Sequence, residues 1–313
     1  MEYVRLAPGL PPSSRLGFGC GSVMGRSGRT ASLRAIAAAL DAGITHFDVA
    51  RLYGYGEAEA LLGEAVRRRR DRVVIASKFG LAAPRASVAL RGLKPLAQRI
   101  VAAVPGLRPL IRSAVGGAGR HPDRFSAVAA KTSLEQSLAA LRTDYLDILF
   151  LHEGGPADLG DELAEFLDAQ VAAGAIRAWG AATGIDSVVQ LMQVRGGHLI
   201  YQFGNSVTAR NTKRLPPADR AYIGHSPFAG ADRITAQVKA HPSPFRRPGG
   251  HVVQPSDVHQ LMLGYALGDA SVGVVLCSML DPAHLRANLA VLEDPPFAAE
   301  DVAAFATAMS EAG

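Results

Sequence analysis

Asp48, Tyr53, Lys78 and His152 are the side chains of this sequence whose types could together carry a reaction. A phenol with an ordinary pKa of about 10 is a poor proton donor or acceptor at neutral pH unless its neighbours tune it. A lysine beside Tyr53 is expected to lower that value by favouring phenolate, and a carboxylate would keep the lysine charged and aimed. An imidazole would hydrogen-bond a polar oxygen and orient it. Such a set suits the reduction of a carbonyl, which needs a proton on oxygen as a hydride reaches carbon. No side chain delivers a hydride, so that reaction calls for a nicotinamide. A hydrolase or lyase using Asp48 and His152 is the competing reading.

Each residue alone has an ordinary explanation. Asp48 could cap a loop, Tyr53 could be a half-buried ring, Lys78 a surface charge and His152 a satisfied core histidine. Their positions argue otherwise. Asp48 ends the short apolar run 44–47, with Tyr53 on the loop beyond; Lys78 ends Val-Val-Ile-Ala-Ser at 73–77; His152 ends the run 147–151. In a parallel barrel the C-terminal ends of all strands share one face, so these residues would meet in one pocket.

The rest of the chain alternates strand-like and helix-like runs, as a parallel α/β fold requires. Helices are expected at 30–42, 57–69, 160–173, 185–194, 256–267 and 282–291, with an extra one at 298–309. Another should open at the capping-box pattern Ser133-Leu134-Glu135-Gln136 and bury Leu134, Leu138 and Leu141. Strands are expected at 16–23, 45–50, 73–78, 147–152, 176–183, 199–205, 221–227 and 271–278, enough to close a (β/α)8 TIM barrel. Gly17, Gly19 and Gly21 imitate a dinucleotide fingerprint. The sixth position is Ser22, no helix follows at once, and the acid at the right distance, Asp41, lies inside a helical pattern, so the Rossmann reading fails.

Composition narrows the function further. Hydrophobic residues make up 48% of 313, without an apolar run long enough to span a bilayer, and the opening stretch lacks the apolar core of a secretory signal. Two cysteines, Cys20 and Cys277, fit a reducing, cytoplasmic setting better than a disulfide framework. Thirty-three basic against 28 acidic residues permits an anionic cofactor without indicating nucleic acid, and the run at 67–70 reads as a solvated helix end. The histidines and cysteines lack metal-ligand spacing, so no metal is expected.

The blocks AGITHFDVARLYGYGEAEALLGEA, VVIASK and SLEQSLAALRTDYLDILFLH resemble the best-known blocks of the aldo-keto reductase superfamily. That resemblance implies a single barrel over 1–313 and an NAD(P)H-dependent oxidoreductase. Its substrate would be a small aldehyde, ketone or sugar, with Tyr53 as general acid. Gln202 in YQFGN matches the glutamine that binds the nicotinamide amide. His225 stands where the family carries a stacking aromatic, followed by Ser226, Pro227 and Phe228; imidazole stacks with less area. Ala182 and Thr183 replace the usual Ser-Asn, making Thr183 the expected carboxamide contact, and Gly19 would let backbone approach the ligand.

At the last block, VLCSMLDPAHLRANL, Ser278 and Asn288 match positions toward the phosphate and adenine end. Leu280 lies near where many members carry Arg or a hydroxyl for a 2'-phosphate, and Ala287 lacks the usual acid or amide. His284, with Arg246, Arg247 and Arg286 more distant, supplies the remaining donors. NADP is the expected cofactor, with NAD as the alternative.

Two segments depart from the pattern. The basic stretch 80–125 exceeds the family's usual connection and holds an amphipathic series, Leu93, Leu96, Ile100, Val101 and Val104, suited to a lid, a membrane-surface contact or an oligomer contact. A Pro-rich loop, 230–255, is expected near the cofactor site. A cofactor-binding sensor or regulatory module of the same fold is the alternative function.

Overall fold

Side chains alternate across a strand, so every second residue of each apolar run faces the barrel interior and the others face the helices. The computed structural model describes residues 1–25, 28–81, 123–195, 199–216, 221–248 and 250–311. Its strands β3 (Leu16–Gly19), β4 (His46–Asp48), β5 (Val74–Phe79), β6 (Leu146–His152), β7 (Ile176–Ala182), β8 (Ile200–Gly204), β9 (Tyr222–His225) and β10 (Val272–Cys277) close a barrel in chain order. Each pairs in parallel with the next, and β10 returns to β3 with Cys277 opposite Phe18. This is the (β/α)8 architecture that the alternation predicted.

Interior packing explains where chemistry can occur. Val74, Ala76, Ile148, Phe150, Ile200, Ile223, Val274 and Leu276 form a buried inner cluster. Leu6 and Leu10 join it from the N-terminal segment, beside a short hairpin of β1 (Tyr3–Val4) and β2 (Ser13–Ser14) that sequence periodicity did not reveal. Continuing each series by two residues reaches Lys78 from Ala76, His152 from Phe150 and Gln202 from Ile200. Apart from His46, buried beside Gly17, the apolar floor thus gives way to polar groups in the top layer. Gly17 belongs to the floor: a Cβ there would lie 2.6 Å from Leu276 and 2.8 Å from Val274 side-chain atoms, so close packing explains this glycine.

Among the described residues the helices are α1 (Gly28–Asp41), α2 (Ala58–Val66), α3 (Ala127–Leu141), α4 (Asp161–Ala172), α5 (Ile185–Arg195), α6 (Ala231–Ala240), α7 (Val258–Gly268), α8 (Pro282–Glu293) and α9 (Ala299–Glu311). They bury Ile36, Leu62, Leu134, Leu167, Val188 and Leu263 against the outer strand residues. The capping-box expectation for α3 is corrected. Ser126 is the N-cap, its hydroxyl accepting from Ala129 N at 3.2 Å, and Ser133 sits within the helix. The first turn buries only Ala130 deeply, a residue too small to signal a face.

The expectation of a loop over 230–255 is also corrected, since α6 occupies its first part and buries Ala231, Ile234 and Val238. Beyond it, Val253 N bonds Phe245 O at 2.9 Å, and Phe245 lies 6.3 Å from Phe305 of α9. Of the basic run, Arg67 to Arg69 are exposed, but Arg70 reaches the fully buried Asp147 at 2.8 Å, whose other oxygen meets Arg177 at 3.0 Å. The amphipathic series of 82–122 lies outside the described residues. At the ends of that segment, Phe79 and Phe125 meet edge to face, 5.8 Å apart.

Candidate active site

The loop after β4 and the ends of β5 and β6 bring the expected tetrad together. Lys78 Nζ lies 2.6 Å from both oxygens of Asp48 and 3.2 Å from Val49 O. It also sits 5.0 Å from the centre of the Tyr53 ring. The His152 ring meets that of Tyr53 edge on, 6.1 Å between centres. Asp48 and Lys78 are 4% and 2% exposed, so the charges face each other and not bulk water. Tyr53 is fixed by a tight turn: its N–H donates to Ala50 O at 3.0 Å, and Gly54 and Tyr55 both take left-handed backbone, φ 58° and 59°. A Cβ on Gly54 would also lie 2.9 Å from Val23 O.

These groups line a cavity of about 330 Å³ with Gly19, Gly21, Ser22, Glu153, Ala182, Gln202, His225, Leu276, Cys277 and Ser278. Ser22 and Ser278 also line an adjoining groove of about 730 Å³, which continues past Gly25, Leu280, Asp281 and Pro282 to His284 at the start of α8. The two serine hydroxyls are hydrogen-bonded to each other where the cavities meet. Ser22 was not singled out from the sequence; its only signal there was its place after the glycine series.

Electrostatics correct one expectation. Burial raises the Tyr53 phenol above its ordinary pKa; Lys78 pulls it down, but the neighbouring Asp48 charge opposes that pull. For Lys78, burial alone would favour the neutral amine, yet Asp48 and the Tyr53 phenol hold its pKa above the usual lysine value. Tyr53 is therefore a protonated donor at neutral pH beside a charged ammonium. Burial and the Lys78 charge push His152 down to about 3, so its imidazole is neutral at physiological pH, with Nδ1 buried and unpartnered among the described residues. Burial likewise lowers His225, whose Nδ1 lies 2.9 Å from Ser226 Oγ.

Gln202 is the residue most clearly shaped for a ligand. Its Nε2 donates to Asp48 Oδ1 at 3.0 Å, an orientation that the carboxylate selects, and this leaves Oε1 buried without a partner among the described residues. An unsatisfied acceptor in a cavity wall fits the amide N–H of a carboxamide. Gly19, His225 and Ser278 line the same cavity, and His284 lines the groove.

The other expected cofactor contacts lie outside the cavity lining. Thr183 is buried and bonds Gln202 O through its own N–H. Ser226, exposed, is hydrogen-bonded to His225, and Pro227 after it is buried. Phe228 packs on His259, 5.4 Å between ring centres. Asn288 is buried on α8, its Nδ2 without a partner among the described residues. Arg247 is committed to Asp301 at 2.9 Å, and Arg246 to Gly250 O at 3.1 Å. Among the described residues no His, Cys, Asp and Glu cluster is arranged to hold a metal, and no helix is long and apolar enough to cross a membrane.

Comparison with known proteins agrees with this geometry. A model of the aldo/keto reductase family matches residues 15–202. Aldo-keto reductase YhdN of Bacillus subtilis (strain 168) is 30% identical over 58% of this chain and 46% of its own length, so this match spans about half of that relative. Methylglyoxal reductase YeaE of Escherichia coli (strain K12) is 23% identical over 85% of this chain and 81% of its own. A solved aldo-keto reductase from Klebsiella pneumoniae in complex with NADPH superposes with a TM-score of 0.66 at 22% identity, covering 93% of this chain and 89% of that one. With the family matched over more than half of its residues and the barrel closed around the tetrad, the chain belongs to the aldo/keto reductase family.

Proposed function

We propose that this protein reduces a small aldehyde, ketone or sugar carbonyl to the alcohol, or runs the reverse reaction, with NADP(H) as cofactor and Tyr53 as the proton donor. The observation that carries the reading is the buried Lys78–Asp48 pair beneath a phenol that keeps its proton, at one end of a cavity that continues into a long groove. Bound nicotinamide would supply the hydride. Gln202 Oε1 would accept from its carboxamide, and His225 and Gly19 would border the ring. Ser278, Asn288 and His284 would serve the phosphate and adenine end.

The carbonyl oxygen would lie between the Tyr53 hydroxyl and the neutral His152 ring. Tyr53 donates the proton as charge builds on that oxygen, and His152 orients it. Lys78 stabilises the phenolate left behind, while Asp48 holds Lys78 in place. The family membership and the NADPH-bound Klebsiella pneumoniae relative support the cofactor assignment. Methylglyoxal, the substrate class in the name of the Escherichia coli relative, is a sensible first probe.

The test is titration of the full chain with NADPH and with NADH, followed by nicotinamide fluorescence, then turnover with methylglyoxal and a series of reactive aldehydes. Tighter binding of NADPH and aldehyde-dependent loss of its absorbance are expected. Tight binding without turnover on any carbonyl would favour a cofactor-binding sensor. Binding of neither cofactor would end the proposal.

A further inference from the structure

Glu59 of α2 is a buried carboxylate, 3% exposed, that does not line the catalytic cavity. Its Oε1 accepts from Ser77 Oγ at 2.7 Å and its Oε2 from Arg51 Nη1 at 3.3 Å. Ser77 immediately precedes Lys78, and strand alternation turns its side chain out toward α2 while Lys78 turns inward. Arg51 lies two residues before Tyr53, and its other terminal nitrogen bonds Gln136 Oε1 of α3. One carboxylate outside the barrel wall is therefore bonded both to the strand that carries the ammonium and to the loop that carries the phenol. A buried carboxylate is costly unless such partners use its lone pairs.

We propose that Glu59 is a positioning residue that fixes Tyr53 against Lys78 through Arg51 and Ser77. The turn it anchors needs an external hold, because Tyr55, a non-glycine residue 44% exposed, occupies left-handed backbone directly after Gly54. Loss of the Arg51 contact removes one of the bonds that hold this segment, alongside the backbone bonds Tyr53 N–Ala50 O and Glu57 N–Gly54 O, and lets the phenol shift from the ammonium. A displacement of about 1 Å at a reacting group can cost roughly 10²-fold in rate.

The inference rests on Tyr53 as proton donor, and the experiment separates the two ideas. Glu59→Gln and Arg51→Met are made singly and together in the full chain. Each is assayed with NADPH and a reactive aldehyde, and by hydrogen–deuterium exchange of residues 51–57. In Glu59→Gln the amide oxygen still accepts from Ser77, but the amide nitrogen opposes Arg51. Expected results are a kcat lower by about 10- to 100-fold with KM unchanged, and faster exchange over 51–57. The high-pH limb of kcat should also move upward, as Tyr53 loses the influence of Lys78, and the double variant should be no worse than the poorer single.

A lower melting temperature with kcat, the pH limb and exchange over 51–57 all unchanged would overturn the proposal. Multiplying losses in the double variant would do the same. If Glu59→Gln does not fold, Arg51→Met, with a side chain 22% exposed, tests the same link. Should the parent chain turn over no carbonyl, the proposed function fails, and exchange over 51–57 alone decides the role of Glu59.

Discussion

Replacing Lys78 by Met removes the ammonium from a pair whose charges lie 2.6 Å apart, with Asp48 4% exposed. At an effective dielectric of 20 two unit charges at that separation attract by roughly 6 kcal/mol, most of which offsets their desolvation. Among the described residues the single change leaves the carboxylate with Gln202 Nε2 at 3.0 Å as its remaining side-chain donor, and stranding a buried charge costs about 3 to 5 kcal/mol. Asp48→Asn alone strands the ammonium and should cost a similar amount. The double variant Asp48→Asn/Lys78→Met strands neither. Urea unfolding of the four proteins should therefore show the double variant more stable than either single, with a coupling of at least about 2 kcal/mol. Turnover should be lost in the two variants that carry Lys78→Met, because Tyr53 no longer has an ammonium beside it, and reduced in Asp48→Asn, where the ammonium loses the carboxylate that holds it. If the two single losses simply add, the charges do not depend on each other and the reasoning about the site fails.

Other consequences follow from the same geometry. With His152 held near 3 and Tyr53 raised, kcat/KM for reduction should be level from pH 5 to 8 and decline only at alkaline pH as the phenol loses its proton. A limb near 6.5 in steady-state profiles would contradict the neutral imidazole. Burial lowers His46 to about 4, and its Nδ1 lies 3.0 Å from Ser13 Oγ. The unfolded chain binds that proton near 6.5, so this stability is present above 6.5 and lost as pH falls toward 4. Denaturant unfolding at pH 7 and 4.5 should show a loss in His46→Leu smaller than the parent's by roughly 2 to 3 kcal/mol; equal losses would exclude the histidine. Arg70→Met should destabilise by about 3 kcal/mol or more by uncovering Asp147, without altering NADPH affinity; a wild-type unfolding midpoint would show that Arg177 suffices.

What the sequence disclosed follows from the reach of each signal. Residues ending apolar strands were legible because strand period and barrel topology place them on one face, which is why Asp48, Lys78 and His152 line one cavity; Gln202, inside its strand, was singled out only through the resemblance of YQFGN. Boundaries set by small residues were not. Ala127 to Ala130 begin α3 with their larger apolar side chain, Val128, exposed, and α6 buries little beyond Ile234 and Val238 before a Pro-rich run. Contacts between distant segments were invisible for a different reason. Nothing local links Arg70 to Asp147, Ser22 to Ser278, or Glu59 to both Ser77 and Arg51. The sign of the Tyr53 shift also depends on burial weighed against a lysine already paired with Asp48, which composition and spacing do not encode.

The central claim is that the Tyr53 hydroxyl supplies the proton during carbonyl reduction. Its most direct test is Tyr53→Phe, following single-turnover loss of NADPH absorbance with a saturating aldehyde while fluorescence titration reports NADPH affinity. The account predicts a rate lower by about 10² to 10⁴-fold with NADPH affinity nearly intact. A variant that turns over at the parent rate would contradict it.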